Sequence, residues 1–360
     1  MKKKAFRIKN IVLLTVTVLF MFFCISLGVT LMGKWETYST PHLHTLNDLW
    51  FNGESGIVAG YYQSLDDRLI KDLYAGLAKQ EAIILYRQDT KSDWRKVYSG
   101  RGNILQLSNN AKEKYLYALG REHFPDGQWK AFLLLSKDSG NSWKEMPKPP
   151  EKTEGISFAG NRVAYAWSID KVYRSINGAQ TWELCKNIDF KLKVHGPTLT
   201  GGTDNVFWYA NELNLFLILP DGQVQKETLP LSFTPEVLTT DPHHDLWLLG
   251  KSEVDQKLHL LKRTDAGKFD SISSMPYFLP DQLYVGAAIS AITGTDLKNL
   301  PPPEAVMLPP SPEGVMLRSR DGGKSWNPVS KLPDGTKAFF EGDKAIWLLG
   351  TMDRLHCLVN

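Results

Sequence analysis

SRDGGKSW, Ser319–Trp326, decides how this chain is read, because SKDSGNSW, Ser136–Trp143, writes the same phrase 183 residues earlier. Ser, a basic residue, Asp, Gly, Ser and Trp recur at identical offsets. SINGAQTW, Ser175–Trp182, is a third copy, with Asn177 for Asp and Ala179 at the Gly position. Weaker versions end LYRQDTKSDW at Trp94, LLKRTDAGKF at Phe269 (one residue short) and LILPDG at Gly222. The chemistry of the phrase is that of a turn. Its Asp side chain accepts backbone N–H groups just ahead. Its Gly supplies the positive φ of a tight hairpin, and its Trp buries a large apolar area beneath. Ser136, Asp138, Gly140 and Trp143, with Ser175, Asn177 and Trp182, and Ser319, Asp321, Gly323 and Trp326, are therefore structural residues. The phrase holds no second carboxylate, nucleophile or metal-ligand set for catalysis.

An apolar, aromatic run often closed by Gly recurs alongside it. The copies are GIVAG (Gly56–Gly60), YLYALG (Tyr115–Gly120), VAYAW (Val163–Trp167), VFWYA (Val206–Ala210), LWLLG (Leu246–Gly250), LYVGAA (Leu283–Ala288) and IWLLG (Ile346–Gly350). Short continuous apolar runs bounded by turn residues are strands buried on both faces. Three or four short strands repeated about every 45 residues make a β-propeller blade, so the expected fold is all-β with seven blades. The last repeat offers three strands, Ala338–Glu341, Ile346–Gly350 and Leu355–Val359. Lys34–Ser39 is available as the fourth, which would close the ring and leave few free edges.

SKDSGNSW and SRDGGKSW resemble the Asp box, also called the BNR repeat, and SINGAQTW is similar to a variant of it. Sialidases, sortilin-type receptors and the propeller family of photosystem II assembly factors carry this motif. The style of the repeats is most similar to the last of these, over most of residues 46–360. The resemblance implies a seven-bladed propeller. It implies no single activity, because enzymes and non-enzymes share the motif.

The N-terminus is different. Residues 1–10 are a basic tail, with Lys2, Lys3, Lys4, Arg7 and Lys9 and no acid. Residues 11–33 hold no charge, long enough for a transmembrane signal-anchor helix of about 35 Å. The flanking charges predict a cytoplasmic N-terminus. The competing reading is a cleaved signal peptide at Ser26-Leu27-Gly28, but the apolar run resumes beyond it. Residues 34–360 then form the ectodomain. This predicts single-pass anchoring in a bacterial cytoplasmic membrane, with the propeller in the periplasm or outside. The chain's net charge is +3, and residues 1–33 hold five basic side chains and no acid, so the rest is about −2. That is no footprint for nucleic acid. Cys185 and Cys357 fall in well-separated repeats and are expected as unpaired thiols. No cofactor or metal is expected.

A sialidase-like glycoside hydrolase or a glycan-binding propeller is the alternative from another class. The sialidase resemblance would require an arginine triad at the axis, a Tyr–Glu pair, an acid Asp and an N-terminal FRIP-type motif. The one FRI, Phe6–Ile8, precedes the apolar segment. Arg87, Arg174, Arg263 and Arg318 recur near the turns. Their offsets differ by one residue, which on a strand reverses the facing side. DPHHD (Asp241–Asp245) sets His243 and His244 beside two carboxylates, but adjacent histidines on a strand point to opposite faces. HLH (His42–His44) puts two imidazoles on one face with no further ligand nearby.

The favoured reading is a monomeric propeller that binds a protein partner in the cell envelope, in complex assembly or protection or as an immunity-type inhibitor of a toxin. Three excursions are candidate contacts. Ser64–Glu81 carries leucines every four residues, including Leu69 and Leu73, and predicts a helix. REHFPDGQWK places Phe124 and Trp129 in a polar turn. Leu300–Gly314, with Pro302 and Pro310, favours extended polyproline geometry.

Overall fold

The structure is a computed structural model. It describes residues 35–359 except 42, 44, 53–54, 65–72, 90, 111–114, 159–161, 187–198, 202–205, 211–213, 231, 242, 244, 265–266, 286–289, 296–313, 329–337, 342–344 and 350–353. The expected anchor, residues 11–33, lies outside the described residues. Among the described residues no helix is long and apolar enough to cross a membrane.

The chain enters on β1 (Trp35–Ser39) and then builds four-stranded antiparallel sheets in order. The first is β2 (Thr45–Asn52), β3 (Ser55–Tyr62), β4 (Glu81–Arg87) and β5 (Arg95–Arg101), with a short α1 (Leu73–Leu77) between β3 and β4. The second is β6 (Asn103–Asn110), β7 (Tyr115–His123), β8 (Trp129–Ser136) and β9 (Lys144–Glu145). The third is β10 (Gly155–Phe158), β11 (Ala164–Trp167), β12 (Val172–Ser175) and β13 (Glu183–Leu184). The fourth is β14 (Leu199–Gly201), β15 (Phe207–Ala210), β16 (Asn214–Ile218) and β17 (Val224–Thr228). The fifth is β18 (Phe233–Thr240), β19 (Leu246–Ser252), β20 (Leu258–Arg263) and β21 (Phe269–Met275). The sixth is β22 (Leu279–Val285), β23 (Ser290–Thr295), β24 (Gly314–Ser319) and β25 (Asn327–Pro328). The last is β26 (Ala338–Glu341), β27 (Ala345–Leu349) and β28 (Arg354–Val359), and β1 pairs with β28 as its fourth strand.

First strands of successive sheets touch one another, β2 to β6 to β10 to β14 to β18 to β22 to β26, and β26 returns to β2. The sheets therefore stand in a closed ring around the first strands, and β1 seals it as the sequence expects. The core lies between sheets. Ile57, Ala59 and Ile84 of the first sheet pack with Ile104, Leu116 and Leu134 of the second. Tyr165 and Phe207 stack across the third and fourth, 4.9 Å between ring centroids. Each fully buried side chain of this size contributes roughly 1.5–3 kcal/mol, so neighbouring sheets hold each other.

Six of the seven recurrent apolar runs are second strands, buried on both faces as expected. The sixth is not. Leu283–Val285 belongs to β22, a first strand, and the second strand there is SAITGT. The glycines closing these runs have a specific cause. β2 and β18 carry a one-residue bulge opposite Gly60 and Gly250. A Cβ on Gly60 would lie 1.9 Å from the Thr45 carbonyl oxygen, and one on Gly250 2.4 Å from that of Thr234.

The repeated phrase forms the turn between third and fourth strands. Buried Ser319 Oγ accepts from Gly323 N at 2.8 Å and donates to Asp321 Oδ1 at 2.8 Å. Asp321 also accepts from Ser325 N at 2.9 Å and Ser325 Oγ at 2.6 Å. Ser136 and Asp138 make the same set with Gly140 and Ser142. Ser175 and Asn177 keep most of it, accepting from Ala179 and Thr181. The Ser325 hydrogen bonds hold the Asp321 carboxyl well below the usual range. Burial works to raise Asp138, and the Ser142 and Ser136 bonds outweigh it.

The tryptophans do more than the sequence shows. Each packs onto the preceding sheet as well as under its own turn: Trp143 on the Ile57 cluster, Trp182 on the Leu119 cluster, Trp326 on the Leu260 cluster. Trp326 Nε1 even donates to Ser273 Oγ of β21, at 3.0 Å. The phrase is a staple between sheets.

Polar latches join the first strands too. Half-buried Asp48 follows the β2 bulge and accepts from Leu107 N of β6 at 2.7 Å and Leu49 N at 2.8 Å. Gln106, after the β6 bulge, accepts from Ile156 N of β10 at 3.1 Å. Burial pushes the Asp48 carboxyl up to about 6, against the pull of the two amides. Its folded value is thus raised. The stability it contributes is fully present below about pH 4 and is lost as pH rises through 6. Asp48→Asn is expected to remove about 1–2 kcal/mol of difference between pH 4.5 and 7.5. Urea midpoints of both proteins at the two pH values check this, and an unchanged difference assigns the dependence to another group.

Candidate functional site

Strand direction sorts the connections. In every sheet consecutive strands are antiparallel. First-to-second and third-to-fourth connections therefore share one face of the ring, here the lower. Second-to-third and sheet-to-sheet connections share the opposite, upper face. The staple turns are all on the lower face. All three excursions singled out in the sequence are second-to-third connections, so all three leave from and return to the upper face: 63–80, 124–128 and 296–313.

The first excursion contains α1, one short helix over Leu73–Leu77; Leu69 lies outside the described residues. The expected helix to Glu81 overruns, because Glu81 pairs with Tyr62 and opens β4. Gln63 Nε2 donates to Gly76 O at 2.8 Å and fixes the helix to the end of β3. The Tyr74 ring lies over Gly127, where a Cβ would sit 3.4 Å away. The first excursion thus leans on the second. In that second excursion Phe124 opens the turn, with Lys130 over its ring at 4.9 Å. Trp129 is not in the turn. It begins β8 opposite His123, half-buried, with Arg121 4.0 Å above its ring. Pro302 and Pro310 lie outside the described residues.

The upper face also gathers apolar side chains in contact with solvent. Among the described residues the exposed large hydrophobics are Tyr62 (36%), Tyr74 (50%), Ile169 (69%), Val254 (83%), Ile176 (54%) and Leu184 (49%). The first four lie on second-to-third connections or at their edge. Ile176 belongs to a lower turn and Leu184 to an outer strand. A cleft of about 390 Å³ opens on the flank between the first two sheets, lined by Tyr98, Arg101, Glu122, Lys130, Phe132 and Glu145. Burial, with Glu145 and Glu122 nearby, raises the Tyr98 phenol.

The four recurrent arginines do not converge. All are on third strands, away from the ring's centre. Arg174 donates to Pro220 O of the fourth sheet and to Glu183. Arg263 forms a two-pronged pair with Glu227 of the fourth sheet, at 2.9 and 2.6 Å. Arg87 inserts between the first and last sheets. Arg318 is half-buried on β24. Asp241 of DPHHD organises its own turn, accepting from His243 N, Asp245 N and Trp247 Nε1. His42, His44 and His244 lie outside the described residues. Among the described residues no three His, Cys, Asp or Glu side chains are grouped to hold a metal. Cys185 and Cys357 are free thiols in different sheets, each pushed up to about 11 by burial.

A closed ring of four-stranded antiparallel sheets, with first strands innermost, is one architecture. This chain has a β-propeller fold. The GH74 xyloglucanase from Xanthomonas campestris shares it, with a TM-score of 0.52 at 13% identity over 90% of this chain. The chain spans 53% of that enzyme's length. A protein from Lactobacillus plantarum is similar at a TM-score of 0.51 and 11% identity, covering 83% of this chain and 89% of its own. At such identities the likeness is one of fold alone. No family model matches the chain, and no curated protein matches it. The propeller's faces, and what they display, carry the functional reading.

Proposed function

We propose that this chain is a seven-bladed Asp-box propeller that acts by binding a protein partner of the cell envelope through its upper face. Residues 11–33 anchor it to the cytoplasmic membrane, N-terminus inside and propeller outside. One observation carries the binding role: Tyr62, Tyr74, Ile169 and Val254, on three different sheets, are exposed on one face. Single surface hydrophobics are ordinary; four displayed on the same face of a rigid scaffold, beside its long loops, support an interaction surface there. All three long excursions leave from that face. The Asp-box assignment is supported by the matching hydrogen-bond sets at Asp138 and Asp321 and their close copy at Asn177.

The test is site-specific photo-crosslinking of the full chain in its own membranes. A photoreactive residue at Ile169 or Val254 is expected to give one discrete protein adduct, and one at Ile176 none. Ile169→Asp with Val254→Asp is expected to lower adduct yield from a reporter at Tyr74 at least about tenfold with an unchanged thermal midpoint, as loss of central anchors does. Adducts at Ile176 alone, or at no position, overturn the reading.

A further inference from the structure

The direction of β1 fixes which face meets the membrane, provided the anchor reading above holds. The apolar run of the sequence ends at Gly33, and β1 begins at Trp35. One residue separates them, a reach of about 7 Å. Trp35 pairs with Leu358 and Ser39 with Arg354. β1 is the fourth strand of its sheet, so it runs from the lower face to the upper, where the 40–44 connection delivers the chain to β2. Trp35 therefore sits at the lower rim, beside the end of β28.

We infer that the propeller stands on the bilayer with its lower face down and presents the upper face away from the lipid. An eight-residue strand such as β2 spans about 26 Å. Strands of seven or eight residues lift Tyr74 and Val254 roughly 25 Å above the membrane surface, and the four-residue β11 lifts Ile169 by about 13 Å. The partner fitting this geometry is a protein domain approaching through the aqueous phase, with an apolar patch of its own. Lipid headgroups and membrane-embedded helices meet the staple turns instead.

The test uses the full chain, with Cys24→Ser, in liposomes carrying an acceptor dye on the headgroups. Donor dyes are attached at Lys137→Cys or Lys324→Cys on the lower face, and at Ile169→Cys or Val254→Cys on the upper. Cys185 and Cys357, whose thiols burial raises, label slowly. Both lower donors, in different sheets, are expected to be quenched several-fold more than both upper ones. Stronger quenching of the upper donors overturns the orientation. So does quenching that ranks by sheet around the ring, which would mean a propeller lying on its edge. A carbonate wash separates the two readings. Release of the chain from the vesicles sinks the anchor and the orientation together. Retention with a reversed or sheet-ordered pattern sinks the orientation and leaves the anchor standing.

Discussion

Arg87→Ala is expected to cost about 3 kcal/mol, the scale of emptying a large buried side chain. Arg87 is only 2% exposed, and its guanidinium carbon lies 4.4 Å from the Trp347 centroid, 4.8 Å from Trp94, 5.4 Å from Tyr38 and 5.5 Å from Phe51. Those rings come from the last sheet, the turn between β4 and β5, the sealing strand β1 and the innermost β2. One side chain thus holds the seam where the ring closes. Desolvation opposes this. Burial lowers the guanidinium's pKa, and its Nε and Nη2 have no hydrogen-bond partner among the described residues. Removing a buried charge recovers desolvation energy, so the net cost is what remains after the two effects partly cancel. Arg87→Met separates them by keeping length without charge. It is expected to lose about 1 kcal/mol, between wild type and Ala. Urea melts of the three proteins measure this. A Met variant more stable than wild type would show that desolvation outweighs the cation–π contacts. An Ala variant within about 0.5 kcal/mol of wild type would remove Arg87 from the closure altogether.

Position in the sequence explains how the sheets were legible. Strands such as AYAW and FWYA are buried on both faces, so every residue is apolar and the run stands out without alternation. The sealing strand was legible because the last repeat lacked one strand and the first had one to spare. The sixth sheet was misread for the same physical reason. Its second strand, SAITGT, is built of small and hydroxyl residues, while the innermost LPDQLYV carries the apolar signal usual for second strands elsewhere. The helix overran because leucine spacing reports periodicity alone. Pairing of Glu81 with Tyr62 is a tertiary fact.

The site was less legible than the fold. Ile169 and Val254 are single apolar residues in hairpin connections, and no local pattern distinguishes them. Their common face follows only from counting strands, since the parity of a connection sets its side. The arginines are the reverse case. Their recurrence near the turns is visible in sequence, and their one-residue offsets already argue against a common pocket. The recurrence arises because third strands border the neighbouring sheet, where Arg174 meets Pro220 and Arg263 meets Glu227. The role of the tryptophans was hidden likewise. A phrase read alone shows what lies under its own turn and cannot show which sheet stands behind it.

Three staple turns with one hydrogen-bond plan but unequal space give the second large effect. Gly140 has φ +90°, and a Cβ there would lie 2.0 Å from Ile57 Cδ1 of the preceding sheet. Gly323 has φ +85°, with Leu260 Cδ2 at 2.8 Å from the same hypothetical atom. Ala179 occupies the equivalent place with φ +64° and a fully buried methyl. The left-handed backbone costs a side chain about 1–2 kcal/mol at any of the three. Forcing Ile57 aside adds about 1–2 more at Gly140. Gly140→Ala is therefore expected to cost about 3 kcal/mol and Gly323→Ala about 2, because Leu260 Cδ2 stands farther from the added methyl than Ile57 Cδ1 does. Ala179→Gly should be nearly neutral, within about 0.5 kcal/mol, since relief of strain offsets the lost methyl burial. Urea midpoints of the three variants measured together test the ranking. Equal losses from Gly140→Ala and Gly323→Ala would mean that backbone strain alone sets the cost. Crowding against the preceding sheet at the glycine would then contribute nothing measurable, and the tryptophans alone would join each turn to that sheet.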